Sequence, residues 1–384
     1  MEVRDLGANG RPFRIAQVAP LYESVPSPLY GGTERVVSYL TEALVSQGHD
    51  VTLFASGDSI TKARLIAPCP RGLRLDDRCQ DYLAYHMLLL EQVMRHAHRF
   101  DLIHFHIDYL HYPFSRRCRT PQVSTLHGRL DLRDLAPLYR EYADMPVVSI
   151  SNAQREPLPG INWQGTVYHG LPSDLLTFRE RSGDYLAFLG RTSPEKGLDQ
   201  AIEIARRTQR KLKIAAKVSK IDEEYFQQQV LPLIRAAQPL VEFVGEIGGA
   251  AKAEFLASAY AVLFPINWPE PFGLVMIEAM ACGTPVIAYR RGSVPEVMVE
   301  GETGFVVDTL DEAIRAVGQV ATLDRRRCRR VFDERYTDDR MAAEYVAIYR
   351  RLLRNRASKP AKSAASANGA ASRALRLTST GGTP

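Results

Sequence analysis

The sequence has few cysteines and no motif that would pair them or bind a metal through them. The five that are present are scattered along the chain: Cys69, Cys79, Cys118, Cys282 and Cys328. Their number is odd and no two are spaced as C-x-x-C, which argues against a disulfide framework and against a thiolate zinc site. We therefore expect reduced thiols with structural roles.

Long apolar runs are also lacking. No run approaches the roughly 20 residues that are needed to cross a bilayer. The first twenty residues have no uninterrupted apolar core of the length found in signal peptides. The sequence therefore predicts a cytoplasmic protein.

A strong excess of one charge is missing as well. The formal net charge is +5 over 384 residues, which suits an anionic small molecule or an acidic membrane surface. The charge is too diffuse to indicate a nucleic-acid partner. The dinucleotide fingerprint G-x-G-x-x-G follows none of the predicted strands, and H-E-x-x-H is absent.

Composition and pattern indicate an α/β protein with two domains. The chain is too long for one ordinary core, and its 45% hydrophobic and 24% charged residues are typical of a globular protein. Short apolar runs, turns and amphipathic stretches alternate twice, which predicts βαβ units and parallel sheets. Strands are predicted at 14–19, 51–54, 102–107, 123–126, 147–150, 185–189, 212–218, 241–244, 261–265 and 285–288. Helices are predicted at 33–47, 198–208, 223–236, 272–281 and 311–322.

This pattern predicts two Rossmann-like domains with a cleft between them. Residues 1–175 would form the first domain and residues 176–336 the second, with the seam in a polar stretch that has few apolar anchors. A further amphipathic helix is predicted at 337–354. Residues 355–384 have almost nothing to bury and are predicted to be disordered.

Two turns at strand ends have the chemistry to bind an anion. Gly31 and Gly32 lie between the first strand and the first helix, where the backbone can approach a ligand and helix N–H groups are free. A plain turn fits these glycines as well. The later turn GRTSPEKG contains Arg191 and Lys196, which can converge on one diphosphate. Two solvated surface cations would explain this turn equally well.

The sharpest signal comes from the segment WPEPFGLVMIEAMACGTP. Glu278 lies there among apolar residues that predict a buried helix, and a buried carboxylate must be paired, hydrogen-bonded or protonated. A pair of sugar hydroxyls would satisfy it. Glu270 precedes this helix, close to the N–H groups of Phe272, Gly273 and Leu274, which can receive oxygens. The alternative is an acid at the helix start and a core glutamate bonded to the backbone.

His104 and His106 alternate on a predicted strand, so both side chains point to the same face. The two histidines look like a metal pair, but no further ligands assemble near them in the sequence. The rim of the crevice or a structural polar ladder is therefore favoured.

As a set, these motifs resemble family 4 of the retaining GT-B glycosyltransferases. The resemblance rests on the GGTE loop, the GRTSPEKG turn, the spacing of Glu270 and Glu278, the tripeptide Leu126-His127-Gly128 and the segment GETGF, in the family's order over residues 14–354. It implies the GT-B fold, with the helix at 337–354 crossing back onto the first domain. It also implies transfer of a hexose, with retention of the anomeric configuration, from a nucleotide-diphosphate sugar. UDP-glucose is favoured as this donor, and GDP-mannose is the second candidate.

The resemblance implies phosphate contacts for several residues. Gly32 would give its N–H to the donor phosphates, and Arg191 and Lys196 would clamp the diphosphate and stabilise the leaving group. Backbone N–H groups would contact sugar and phosphate at three positions: Phe272, Gly273 and Leu274.

The resemblance also implies contacts to the two sugars of the donor. Glu278 would hold the ribose hydroxyls and Glu270 would bind hydroxyls of the transferred hexose. His127 would lie beside the reacting sugar and assist through its backbone carbonyl or its ring. At position 169 the family commonly has asparagine whereas this chain has His169, so contacts near that connection are not carried over.

Cofactors and partners follow from the same resemblance. The sequence has no Asp-x-Asp motif of the kind that holds a metal on a sugar nucleotide, so we expect cationic side chains to replace an essential divalent ion. The expected partners are a nucleotide sugar and an acceptor that the sequence does not identify. The arginines that end the last helix suit weak peripheral membrane association, although a solvated helix face is favoured. The alternative functions are a glycoside phosphorylase or a sugar-nucleotide epimerase of the same fold, and a non-catalytic protein that binds sugar nucleotides.

Overall fold

The computed structural model describes residues 11–29 and 31–357. Its first sheet has seven parallel strands in the order β3-β2-β1-β4-β5-β6-β7. These strands are β1 Arg14–Val18, β2 Asp50–Phe54, β3 Arg64–Ile66, β4 Leu102–Phe105, β5 Gln122–Thr125, β6 Val147–Ser149 and β7 Trp163–Thr166. The helices of this half are α1 Gly32–Ser46, α2 Tyr82–His96, α3 Tyr112–Ser115 and α4 Leu135–Glu141.

The second sheet has six parallel strands in the order β10-β9-β8-β11-β12-β13. Its strands are β8 Leu186–Arg191, β9 Leu212–Lys217, β10 Val241–Gly245, β11 Ala261–Phe264, β12 Val286–Tyr289 and β13 Gly304–Val307. The helices of this half are α5 Leu198–Thr208, α6 Glu223–Tyr225, α7 Leu231–Ala236, α8 Gly249–Ala257, α9 Leu274–Ala281, α10 Val294–Val297, α11 Leu310–Gln319 and α12 Arg325–Arg335. The prediction of two Rossmann-like α/β domains is therefore confirmed. The boundary at residue 175 stays a prediction, since it lies between β7 and β8.

The last helix, α13 Asp338–Ala357, returns to the first sheet. Its buried side chains Met341, Tyr345 and Tyr349 share one apolar cluster with residues of β1, α1 and β4. Its basic end also contacts the first domain, because Arg351 donates to the carbonyl of Gln164. The helix extends to Ala357, past the predicted end at 354, and residues 358–384 of the predicted disordered segment lie outside the described residues.

Several element predictions need correction. The predicted helix 223–236 is interrupted, because a π-helical stretch at Phe226–Val230 separates α6 from α7. The helix predicted from 272 begins at Leu274, since the left-handed Gly273 (φ 79°) caps it. Among the described residues, strands β3, β7 and β13 have no counterpart in the prediction. The helices without a counterpart are α2, α3, α4, α8, α10 and α12. Within the described part of the chain, none of the helices combines the length and apolar composition needed to span a membrane.

A cavity of about 560 Å³ lies between the two sheets. Residues that follow strands of both sheets line it, among them Pro20 after β1, His106 after β4, Gly128 after β5 and Glu246 after β10. In open parallel sheets this edge, outside the carboxyl ends of the strands, is where ligands bind.

Candidate active site

All the residues assigned to the site from the sequence line this one cavity: Gly32, His127, Arg191, Lys196, Glu270, Phe272, Gly273, Leu274 and Glu278. The first two belong to the first domain and the others to the second. The arrangement therefore brings together groups that lie up to 246 residues apart in the chain, from Gly32 to Glu278.

The N-termini of two helices meet across the cavity. A Cβ placed on Gly32, the first residue of α1, would lie 3.2 Å from Cδ1 of Leu274, the first residue of α9. Neither helix has a side-chain N-cap. The free N–H groups of both helix N-termini therefore lie at the same cavity and carry partial positive charge. This arrangement is suited to an anion.

Lys196 and Glu270 form an ion pair at the wall of the cavity. Lys196 Nζ lies 2.5 Å from Glu270 Oε2, and the same oxygen accepts a hydrogen bond of 3.1 Å from the Trp268 indole N–H. Lys196 ends the 3₁₀ turn Pro194–Lys196 and precedes Gly197, whose φ is 68°. A Cβ at Gly197 would overlap the Pro265 carbonyl oxygen, so this turn, and with it Lys196, depends on glycine.

Arg191 ends β8 and has two carboxylate neighbours. Its Nη2 lies 2.6 Å from Glu195 Oε1, and its Nε lies 3.0 Å from Asp222 Oδ2. Burial would raise the pKa of Glu195, but hydrogen bonds from its own backbone and Ser193, together with Arg191, lower that pKa overall. These two contacts hold the guanidinium in a fixed position at the cavity wall, where it remains about one-third exposed.

Glu278 is buried in α9 and is paired with two cations. Lys252 Nζ of α8 lies 2.5 Å from its Oε1, and Arg35 Nη1 of α1 lies 3.5 Å from the same oxygen. Burial would raise the pKa of this carboxyl, but Lys252 and then Arg35 more than offset it, so the pKa lies below its usual value. Arg35 reaches this carboxylate from the other domain, so the ion pair joins the two walls of the cleft.

His127 follows β5 and takes part in a row of histidines. Its Nε2 lies 2.9 Å from His106 Nδ1, and its ring stacks on His169 with the centroids 5.3 Å apart. Burial lowers the pKa of His127 to about 3, so the ring is neutral at physiological pH. The ring centroids of His104 and His106 are 4.0 Å apart, and both side chains belong to a polar ladder. Among the described residues no group of three or more His, Cys, Asp or Glu could hold a metal ion.

Three charged residues at the cavity, Lys252, Arg35 and Asp108, were not identified from the sequence. Lys252 and Arg35 supply the charge that Glu278 needs, yet neither belongs to a motif. Asp108 lines the first-domain wall in a left-handed conformation (φ 50°) that is uncommon outside glycine. Burial raises the pKa of the Asp108 carboxyl to about 6, although the backbone N–H of His127 partly offsets this. A non-glycine residue after a strand gives no sequence signal for this conformation.

Comparison with protein families identifies both halves of the chain. Residues 30–155 match the model described as Glycosyltransferase Family 4, and residues 179–331 match the model described as Glycosyl transferases group 1. Together the two ranges include both helix N-termini and every residue that the resemblance assigns to the site.

Known proteins of similar sequence and structure are glycosyltransferases. A glycogen synthase of Mycobacterium tuberculosis is 26% identical over 365 residues, which are 81% of this chain and 86% of the relative. AviGT4, a glycosyltransferase involved in avilamycin A biosynthesis, has 26% identity and a TM-score of 0.69, covering 90% of this chain and 99% of that one. The fold also matches Anabaena HepE, solved in complex with UDP-glucose, at 19% identity and a TM-score of 0.68, covering 90% of this chain and 100% of that one. The chain therefore belongs to family 4 of the GT-B glycosyltransferases.

Proposed function

We propose that this glycosyltransferase transfers glucose from UDP-glucose to a hydroxyl of its acceptor, with retention of the anomeric configuration. GDP-mannose is the second candidate donor. Support for UDP-glucose comes from HepE, whose solved complex contains it, and the similarity to a glycogen synthase supports glucose as the transferred sugar. The observation that carries the proposal is the convergence of Arg191, Lys196, Glu270 and Glu278 on one cavity with the N-terminus of α1.

The cationic side chains would bind the diphosphate. Arg191 offers a planar set of donors and Lys196 a point charge, and the two uncapped helix N-termini add free N–H groups. Both cations are paired with carboxylates in the structure, Arg191 with Glu195 and Asp222, and Lys196 with Glu270. A bound diphosphate would therefore compete with these carboxylates for cations that are already held in position.

The carboxylates would bind the two sugars. Oε1 of Glu278 contacts Lys252 and Arg35, which leaves Oε2 to accept ribose hydroxyls. Glu270 would exchange its contact with Lys196 for hydroxyls of the hexose once the diphosphate takes the lysine. His127 would lie next to the hexose on the opposite wall.

The chemical step breaks the bond between C1 of the hexose and the β-phosphate oxygen, and forms a bond between C1 and the acceptor oxygen on the same face. The acceptor proton passes to the departing phosphate oxygen, so the products are the glycosylated acceptor and UDP. Negative charge grows on the diphosphate while positive charge grows on the ring. Arg191, Lys196 and the helix N-termini would stabilise the former, and this preorganised field is the main source of catalysis that we infer.

No divalent ion is required in this proposal, because the cations beside the phosphate position belong to the protein. The described residues offer no cluster of metal ligands there. We therefore expect UDP-glucose turnover to be the same in EDTA as in Mg²⁺. A loss of activity in EDTA that Mg²⁺ restores would contradict this part of the proposal.

A panel of sugar nucleotides tests the function directly. The protein is incubated with UDP-glucose, GDP-mannose and related donors, and nucleotide release is measured with and without candidate acceptors. UDP should also raise the melting temperature, whereas inorganic phosphate alone should not. Stabilisation by phosphate would indicate a phosphorylase, and binding of a sugar nucleotide without any turnover would indicate a non-catalytic protein.

A further inference from the structure

A run of buried polar side chains extends from α13 to the floor of the cleft. The Tyr349 hydroxyl lies 2.7 Å from His104 Nδ1 and 3.3 Å from Gln17 Nε2. The other end of the Gln17 amide, Oε1, lies 2.8 Å from His106 Nε2. His106 Nδ1 then lies 2.9 Å from His127 Nε2. The first four of these side chains are almost completely buried, so water does not compete for their hydrogen bonds.

The orientation of the Gln17 amide sets the direction in which the protons point. Its Nε2 donates to the Tyr349 hydroxyl at 3.3 Å, so its Oε1 is the atom that faces His106 Nε2. A carbonyl oxygen only accepts hydrogen bonds, so His106 must donate from Nε2.

A neutral imidazole carries a proton on only one of its two ring nitrogens. The nitrogen that donates on one histidine therefore decides which nitrogen must donate on the next. Burial lowers the pKa of His106 and of His127, and both rings are neutral. Because His106 is protonated on Nε2, its Nδ1 is a bare acceptor. His127 must therefore donate from Nε2 and carry a bare Nδ1 of its own.

The far end of the run agrees with this direction. His127 Nδ1 is buried and has no hydrogen-bond partner among the described residues. A buried N–H without an acceptor is rarer in proteins than a buried acceptor without a donor. The reversed run would put such an N–H on Nδ1, so the unpartnered atom favours the direction set by the Gln17 amide.

We propose that Gln17 and His106 are positioning residues that fix the proton of His127 on Nε2 and keep its Nδ1 as an unpaired acceptor for a hydroxyl of the bound sugar. The inference rests on the proposed function, since it takes a hydroxyl-rich ligand as the missing donor. It explains why a motif that resembles a metal pair, His104 and His106, is buried in a ladder beneath the cleft. Tyr349 connects this ladder to the helix that returns from the second domain.

Two tyrosine-to-phenylalanine substitutions on the same helix test the proposal. Tyr349→Phe removes the hydroxyl that orients Gln17, so the amide can turn over and both tautomers of His127 become available. Tyr345→Phe is the matched control. Its hydroxyl bonds the Thr125 hydroxyl at 2.8 Å, which in turn bonds His104 Nε2 at 2.7 Å, so Tyr345 reaches the far side of this ring and makes no bond to Gln17. Two-bond ¹H–¹⁵N spectra of the histidine rings report the tautomer, with His127 assigned from the signals missing in His127→Asn.

We expect His127 of the wild type and of Tyr345→Phe to be protonated on Nε2 alone, and Tyr349→Phe to show protonation on Nδ1 as well. Turnover of UDP-glucose should fall about three- to tenfold in Tyr349→Phe, the range that one net hydrogen bond contributes. Tyr345→Phe should stay within about twofold, and the donor Kd should rise in Tyr349→Phe alone, because the contact of His127 with the bound sugar is weakened in that variant. A wild-type His127 protonated on Nδ1, or equal losses of turnover in the two variants, would overturn the proposal. Absence of turnover in the wild type with every sugar nucleotide would instead contradict the proposed function, while the spectra still report the tautomer.

Discussion

Arg191 is the residue whose loss should affect catalysis most directly. Arg191→Ala removes a fixed cation from the place where leaving-group charge is proposed to grow, so we expect kcat to fall by about a hundredfold. Nucleotide release at saturating UDP-glucose measures this. Arg207→Ala is the control, because that guanidinium is exposed and pairs with Asp311 on the outer surface of α5. Near-normal turnover of Arg191→Ala would refute the assigned role.

A comparison of two nucleotides separates the proposed ribose contact of Glu278 from the structural ion pairs of the same carboxylate. If Glu278 Oε2 accepts ribose hydroxyls, the wild type should bind UDP about tenfold more tightly than 2′-deoxy-UDP, the worth of one charge-assisted hydrogen bond. Glu278→Ala removes both carboxylate oxygens and should bind both nucleotides with nearly the same Kd in calorimetry. The variant also loses the contacts with Lys252 and Arg35. Any effect of that loss on Kd is the same for both nucleotides, so it cancels in the ratio of the two Kd values. An unchanged ratio in the variant would exclude the ribose contact.

The buried Asp108 carboxylate should lower the free energy of unfolding at neutral pH. Its carboxyl pKa is raised to about 6 by burial, whereas the unfolded value is 3.8. The folded state therefore binds the proton more strongly, and the free energy of unfolding falls as the pH rises from about 4 to about 6. Asp108→Asn keeps a residue that tolerates the left-handed backbone, so we expect a gain of about 1 to 2 kcal/mol at pH 7.

Denaturant unfolding at several pH values checks this prediction. The gain of Asp108→Asn should disappear below about pH 4, where the wild-type carboxyl is protonated in both states. Asp77→Asn serves as the control, because Asp77 is exposed and its substitution should matter little at either pH. A gain that persists at pH 3 would mean that protonation of the Asp108 carboxyl is not its cause.

Sequence could locate Glu278 but not its partners. An acid inside an apolar helix predicts burial and a need for compensation, and both are found. The compensating cations lie on α8 and on α1 of the other domain, at 26 and 243 residues from Glu278 in the chain. Only packing brings them together, so no local spacing could identify Lys252 or Arg35.

At the scale of elements, α12 shows how a basic run can contain a structural residue. The sequence RRRCRR suggests a solvated surface, yet the first of its arginines is buried. The Arg325 guanidinium donates to the carbonyls of Ala257 and Ala259 and to the Thr284 hydroxyl, at 2.6 to 2.9 Å. It thereby joins α12 to the ends of α8, β11 and α9.

We therefore expect Arg325→Ala to lower the free energy of unfolding by about 3 kcal/mol or more, because several buried acceptors lose a charged donor. Its neighbour is the matched control. Arg326 is exposed and pairs with Glu180 at 2.7 Å, so Arg326→Ala should cost less than about 1 kcal/mol. Urea unfolding compares the two variants. Equal losses would show that the buried hydrogen bonds of Arg325 add no stability.

Strong helical periodicity and apolar strands were sufficient to predict most elements of the two sheets. α5 matches its predicted bounds, and β9 differs by one residue. The failures have physical reasons. β7 is only half buried, so its sequence WQGT has no apolar run, and α12 is so rich in arginine that its buried face is hard to recognise. The π-helical stretch within residues 223–236 could not be predicted, because the apolar residues there keep the spacing of an ordinary helix.

At the scale of the whole molecule, α13 makes the first domain depend on residues that follow the second. Buried side chains of α13 complete the apolar cluster around Ile15, Leu40 and Val123. The Tyr349 hydroxyl also bonds Gln17 and His104, and the Tyr345 hydroxyl bonds Thr125. The members from α13 are Met341, Ala342, Tyr345, Val346, Ile348 and Tyr349. At about 1.5 to 3 kcal/mol for each large apolar side chain, their burial amounts to on the order of 10 kcal/mol. That is comparable to the whole stability of a domain.

A chain that ends at Tyr336 should consequently lose the first domain and keep the second. The apolar clusters of the second sheet contain no residue of α13, and the Tyr336 hydroxyl still bonds the Val297 carbonyl at 2.8 Å. In hydrogen exchange, amides of β1 and β4 should exchange rapidly in the shortened chain, whereas those of β8 and β11 should keep their protection. The second domain is thus the internal control. Protection that survives equally in both domains, or is lost equally from both, would show that α13 does not stabilise the first domain selectively.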